Sequence, residues 1–166
     1  MSLFLMKVCR ALEAHHVSYA LVGGYAVALQ GAIRGTLDVD LVISLSADSY
    51  QQTERALRSL GLTPHLPLQA PQVFEQRSLL IEERNLIAWS FVSIINPLEV
   101  VDVIITFPLE DVMIDRVAPL GEETVNVLKI EHLIAMKRAS GRPQDLSDVK
   151  ALELILAKRQ GEEMKR

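Results

Sequence analysis

The stretch Val22-Gly23-Gly24-Tyr25-Ala26, followed by Arg34-Gly35-Thr36-Leu37-Asp38-Val39-Asp40-Leu41-Val42-Ile43, decides how this 166-residue chain folds. In the second half, aliphatic and β-branched residues bracket two acids, the signature of a β-strand. Alternate strand residues share a face, so Asp38 and Asp40 are expected to point the same way with backbones roughly 6 to 7 Å apart. Two carboxylates at that spacing offer oxygen-only ligation of the kind Mg²⁺ or Mn²⁺ takes, with waters and substrate phosphates as further ligands. Taken alone, an Asp-x-Asp is equally the acidic outer face of an edge strand.

The preceding residues weigh against that plain alternative. Tyr19-Ala20-Leu21-Val22 reads as a short strand that stops at Gly23-Gly24. Two glycines there allow positive φ and close approach of a phosphate to the backbone. Tyr25 to Gln30 then reads as a short helix.

A strand, Gly-Gly, a short helix, Arg-x-Thr and Asp-x-Asp in a second strand resemble the DNA polymerase β-like nucleotidyltransferase superfamily. Within it, Gly-Gly-x-Ala and Arg-x-Thr-x-Asp-x-Asp look most like the AbiEii-type toxin nucleotidyltransferases, and aminoglycoside nucleotidyltransferases share a similar Gly-Gly opening. The resemblance implies a third carboxylate on a later apolar strand. Asp102 is the only acid within the aliphatic run Val100-Val101-Asp102-Val103-Ile104-Ile105. An unpartnered carboxylate inside such a strand is costly. Asp102 therefore either completes the site or, more plainly, salt-bridges Arg34 or caps a turn, and Glu99 has the other face's parity.

The resemblance also implies a fold: an α/β (α+β) core with a small mixed, mainly antiparallel sheet carrying packed helices. Residues 1–128 would form the catalytic core and 129–166 a C-terminal helical pair within the same unit. Local signals fill in the order: helix 3–16, strand 18–22, helix 25–31, strand 38–43, and a helix 49–59 capped by Ser46 or Asp48 and stopped by Gly61. A proline-bounded loop from Pro64 to Pro71, a helical stretch 72–85 and a strand 88–95 follow. The Asp102 strand should pair antiparallel with 88–95, and 117–127 reads as a hairpin tipped by Gly121-Glu122-Glu123. Trp89 and Phe91 alternate in their strand and read as core.

Composition sets the outer limits. Hydrophobic residues make up 49% of the chain, yet no apolar run reaches the roughly 18 residues that a bilayer span needs. The single cysteine, Cys9, excludes an internal disulfide. With no signal-peptide pattern at residues 1–7, these features lead to an expectation of a cytoplasmic protein with no membrane association. His15-His16 read as the end of the first helix, His65 and His132 are isolated, and 5% aromatics supply no base-stacking platform.

Charge divides the chain unevenly. From residue 129 onward nine cations face six acids, while residues 1–128 hold eight cations and fifteen acids; the whole chain is net −4. An acidic half beside a basic helical half suits a polyanionic substrate. The run Glu131 to Asp148 again resembles the AbiEii-like group, with Lys137 and Asp145 in matching places and Gln144 where a Lys is usual. By that resemblance Lys137 contacts nucleotide phosphates; by local logic Asp145 is the N-cap of the last helix with Asp148 in its first turn.

Together these readings imply a metal-dependent enzyme. Asp38, Asp40 and Asp102 are the expected catalytic and metal-binding residues, with Mg²⁺ or Mn²⁺ as cofactor. Gly23, Gly24, Arg34, Thr36 and Lys137 are the expected contacts to a nucleoside triphosphate, though Arg34 equally reads as a surface-loop charge. The acceptor hydroxyl would belong to an RNA such as tRNA or a partner protein, in a toxin–antitoxin setting. Two other readings stand beside it: a small-molecule, aminoglycoside-like transferase, and a non-catalytic binding or antitoxin module. Larger relatives carry an extra helical region for the acceptor, so a chain of this size is expected to take a small acceptor, form a homodimer or borrow a partner chain.

Overall fold

Pairing in the strand that carries Asp40 organises the molecule. The computed structural model describes residues 2–118 and 123–166. The elements run α1 (Leu3–Ala14), β1 (Tyr19–Val22), α2 (Gly23–Leu29), β2 (Val39–Ile43), α3 (Ala47–Ser59), β3 (Leu62–Pro64), α4 (Ala70–Glu75), α5 (Arg77–Glu82), β4 (Ala88–Ser93), β5 (Val100–Ile104), β6 (Ile114–Val117), β7 (Val125–Leu128), α6 (Ile130–Ser140) and α7 (Pro143–Glu163). The seven strands form one sheet in the order β3-β4-β5-β2-β1-β7-β6. Among the described residues four strand pairings are antiparallel and two, β2 with β5 and β1 with β7, are parallel. This is the mixed, mainly antiparallel α/β architecture expected from the sequence.

Register sorts the strand residues into two faces. Leu21 pairs with Leu41, Leu41 with Val103 and Val103 with Trp89, so these four form a row across β1, β2, β5 and β4, each buried. Helices cover this row: Tyr50 of α3 stacks on Trp89 with ring centroids 5.9 Å apart, and Trp89 meets Phe91 edge-on at 4.6 Å. The Tyr19 hydroxyl of β1 donates to Glu13 Oε1 of α1 at 3.3 Å. One residue further along each strand, the row Val22, Asp40, Asp102 and Ser90 lies on the opposite face. Strand periodicity thus forces hydrophobic residues to one side and the two carboxylates to the other.

Capping explains the helix limits. Ser2 and Ser46 accept hydrogen bonds from the backbone N–H groups of Leu5 and Ser49 at 3.4 and 3.1 Å, fixing the starts of α1 and α3. At the end of α6, Gly141 takes φ +66°, and Pro143 opens α7 two residues later.

Three local expectations need correction. The segment from Pro64 to Pro71 is not wholly loop: Pro64 ends β3 against β4, and α4 starts at Ala70 with Pro71 in its first turn. The stretch 72–85 is two helices, because the chain breaks at Gln76 between α4 and α5. Asp38 lies in a bend just before β2 rather than inside it. The 117–127 hairpin is found as β6 paired with β7, and its Gly121-Glu122 tip lies outside the described residues.

Gln30, at the end of α2, joins three layers. Its buried amide N–H donates to the Leu128 carbonyl at 3.0 Å and to Asp115 of β6 at 3.1 Å, while Arg159 of α7 donates to its side-chain and backbone oxygens at 3.0 and 2.7 Å. Gln30→Ala should therefore destabilise the fold by about 2 kcal/mol, the cost of leaving a buried polar partner unsatisfied. Urea denaturation monitored by Trp89 fluorescence measures this.

Candidate active site

The turn between β1 and α2 sits against the acidic strand so closely that side chains there are excluded. Gly23 has φ +66°, and a Cβ on it would fall 2.0 Å from Asp40 Oδ2; a Cβ on Gly24 would fall 2.8 Å from Thr36 Oγ1. Both glycines are thus dictated by contact with residues of the site, not by turn geometry alone. Asp40 follows from β2, and Asp102 is brought beside it by the parallel β2–β5 register.

All eight sequence-derived site residues line one cleft of about 490 Å³: Gly23, Gly24, Arg34, Thr36, Asp38, Asp40, Asp102 and Lys137. Asp38 is exposed at its mouth, whereas Asp40 and Asp102 are half-buried. Among the described residues no three His, Cys, Asp or Glu side chains converge as a ready-made ion cage. Asp40 and Asp102 instead lean on one another. Burial first, then the Asp102 charge and a hydrogen bond between the two carboxyls, push Asp40 up to about 7. Desolvation and Asp102 also raise Asp38. Two neighbouring carboxyls that raise one another in this way disfavour their joint ionisation, and their donor atoms are all oxygen. Asp40 and Asp102, with Asp38 near them in the same cleft, are all-oxygen donors of the kind that could hold Mg²⁺ or Mn²⁺.

Ser90 is a site residue that motif reading missed. Its hydroxyl donates to Asp102 Oδ1 at 2.5 Å, which leaves Oδ2 of Asp102 without that bond. The signal was in the strand: with Trp89 and Phe91 facing the core, Ser90 must face the other way. Asp102 does not pair with Arg34, the plainer of its two readings.

Arg34 and Lys137 are held by acids from α7. Arg34 Nε donates to Asp148 Oδ1 at 3.1 Å, and Lys137 Nζ bridges Asp145 Oδ1 at 3.0 Å and Asp148 Oδ2 at 3.1 Å. Arg142 adds a 2.8 Å bond to Asp145, and Gln144 a 3.2 Å bond to Asp148. Asp145 is therefore not the N-cap. Arg142 holds that position, Pro143 follows it, and Asp145 is turned inward and 1% exposed. Burial raises the pKa of Asp145, but the bonds from Arg142, Ser140 and Lys137 outweigh it and hold the carboxyl below its ordinary range. Gln144 at the usual Lys position still contributes, as a neutral donor to Asp148.

Solved structures of nucleotidyltransferases share this arrangement of strands and helices. The lincosamide antibiotic adenylyltransferase LnuA, in its lincomycin-bound form, superposes with a TM-score of 0.64 at 14% identity, covering 93% of this chain and 98% of that one. ANT(2'')-Ia in complex with adenylyl-2''-tobramycin gives 0.57 at 14% identity over 96% of each chain. The solution structure of ANT(2'')-Ia, an antibiotic-resistance factor, gives 0.60 at 11% identity, covering 98% and 92%. At these identities the likeness establishes a common nucleotidyltransferase fold. The chain belongs to the family described as "nucleotidyltransferase of unknown function (DUF6036)", which it matches over residues 5–158. No curated protein sequence matches it.

Two outcomes test the electrostatics of the cleft. A carboxyl raised from 3.8 to about 7 on folding binds more protons in the folded state between those values, so its contribution to stability is full below pH 4 and lost as pH rises through 7. Asp40→Asn should remove that loss and stabilise the protein at pH 8 by on the order of 3 kcal/mol, with little change at pH 4. Conversely, Asp148→Ala leaves Lys137 with Asp145 alone and Arg34 without its acid, and should cost about 2 to 3 kcal/mol. Chemical denaturation across pH 4 to 8 reads both.

Proposed function

We propose that this protein transfers a nucleoside monophosphate from a nucleoside triphosphate to a hydroxyl group, with Mg²⁺ or Mn²⁺ as cofactor. The observation that carries the reading is the register of Asp40 opposite Asp102, with Gly23 and Gly24 packed against the same cleft. When bound, the metal neutralises charge on the triphosphate and on the leaving pyrophosphate. Asp38, Asp40 and Asp102 would hold it. Backbone N–H groups at Gly23-Gly24 and the side chains of Thr36, Arg34 and Lys137 bind and orient the phosphates. Asp102, oriented by Ser90, takes the proton from the acceptor hydroxyl as its oxygen attacks the α-phosphorus. The bond between the α-phosphorus and the bridging oxygen breaks, and pyrophosphate leaves.

Residues 1–128 then supply the catalytic acids, and 129–166 supply the basic wall through Lys137. We take the acceptor to be a small molecule. LnuA holds lincomycin and ANT(2'')-Ia holds an adenylylated tobramycin, and both superpose on this chain nearly end to end. The AbiEii-like run around Lys137 supports a second reading, transfer to an RNA such as tRNA or to a partner protein in a toxin–antitoxin system. For location, no helix among the described residues is long and apolar enough to cross a membrane. Cys9 is buried and unpaired, which fits a reducing cytoplasm.

Incubation with α-³²P-labelled nucleoside triphosphates, Mg²⁺ and a mixed panel of hydroxyl compounds and RNAs should give a labelled product. Asp38→Ala, Asp40→Ala and Asp102→Ala should each lower kcat/KM by at least about 100-fold. Labelling that survives any of the three overturns the assignment.

A further inference from the structure

The cleft is polarised across the sheet. On the β1 side of the carboxylates stand its three cations: Arg34 in the loop ahead of β2, Lys137 on α6 and Arg142 at the start of α7. On the β4 side, beyond Asp102, the lining residues are Ile87, Ile104, Thr106 and Phe107, none of them charged. Sheet order is consistent with this separation: β5 lies between β4 and β2, while α6 follows β7 on the other side of β2.

This neutral shelf is built into the strands that carry the chemistry. Ile104 shares the face of Asp102 two residues along β5 and pairs across to Ala88 of β4. The Ile87 carbonyl accepts the Ile105 N–H at 2.9 Å, so the backbone at Ile87 is fixed to β5. The residue is nonetheless 64% exposed, and no core packing explains an isoleucine there. Phe107 and Ile104 are partly buried against the core, so the shelf has a firm floor.

Resting on the nucleotidyl-transfer reading, we infer that the acceptor is a neutral, amphipathic small molecule whose apolar face lies on Ile87, Ile104 and Phe107 while its hydroxyl points at Asp102. Charge complementarity decides the class. A nucleic-acid acceptor needs cations along its phosphates, and the shelf has none. A polycationic acceptor needs acids, and those lining the cleft are Asp38, Asp40 and Asp102, already gathered at the carboxylate centre, and Asp145, already paired with Lys137 and Arg142. Apolar contact remains as the source of affinity. The transfer balances as before: the acceptor oxygen bonds to the α-phosphorus, its proton passes to Asp102, and pyrophosphate departs.

The test uses methyl, butyl and hexyl β-glucosides, which keep the hydroxyls constant and lengthen the apolar part, alongside bulk tRNA and tobramycin, with α-³²P-ATP and Mg²⁺. Calorimetry with a non-hydrolysable ATP analogue runs in parallel. Wild-type kcat/KM should rise about 3- to 4-fold per methylene that the shelf buries. Ile87→Asp should flatten that dependence while leaving the affinity for the ATP analogue unchanged. Preferential labelling of tRNA or tobramycin, or label transfer indifferent to alkyl length, overturns the inference but leaves nucleotidyl transfer standing. Failure of the analogue to bind in Mg²⁺ overturns both.

Discussion

Parallel pairing of β2 with β5 is the constraint on which the rest of this molecule depends. It sets Asp40 opposite Asp102 and, by the same register, puts Leu41 opposite Val103 on the reverse face. A one-residue slip of β2 would turn Asp40 under α1 and α3 and put Leu41 in the cleft, while Asp102 kept its place. Hydrophobic burial of one row therefore enforces convergence of the other. The glycine turn inherits the constraint: once Asp40 is fixed, there is room above it for the backbone of Gly23 but not for a Cβ.

A second constraint comes from charge. Lys137 is 8% exposed and Arg34 is half-buried, positions where an unpaired cation is expensive. Asp145 and Asp148 offset that cost, and they do so from α7, the last helix of the chain. The loop ahead of β2, the cationic wall of the cleft and the C-terminal helical pair are thereby joined into one ionic group. The same group keeps both cations beside the carboxylates, so the network serves the fold and the cleft at once.

Much of this was legible in the sequence because the deciding signals are local. Gly-Gly after an apolar strand, two acids flanking Val39 and a lone acid in an aliphatic run each carry their meaning within about ten residues, and the structure brings all of them to one cleft. Long-range partners were less readable. Asp145 near the start of a helix is indistinguishable from an N-cap in sequence; only tertiary packing turns it inward to Lys137. The break at Gln76 carries no proline or glycine to mark it. Ser90 was recoverable from the alternation with Trp89 and Phe91, yet nothing local says that its neighbour across the ladder is Asp102.

The carboxylate centre is the least comfortable part of the protein. Two half-buried acids side by side, with Asp40 pushed up to about 7 by burial and by Asp102, cost stability near neutral pH that the well-packed opposite face must offset. Packing alone would favour an asparagine or a leucine at either position. Both acids in adjacent parallel strands are what the proposed divalent ion would join. The cations already present, Lys137, Arg34 and Arg142, are bonded to Asp145 and Asp148, and the attraction of Lys137 for Asp40 is outweighed by burial and by Asp102. That separation, cations bonded to their own acids on one side and carboxylates only partly neutralised at the centre, is the charge imbalance that the proposed divalent ion would offset.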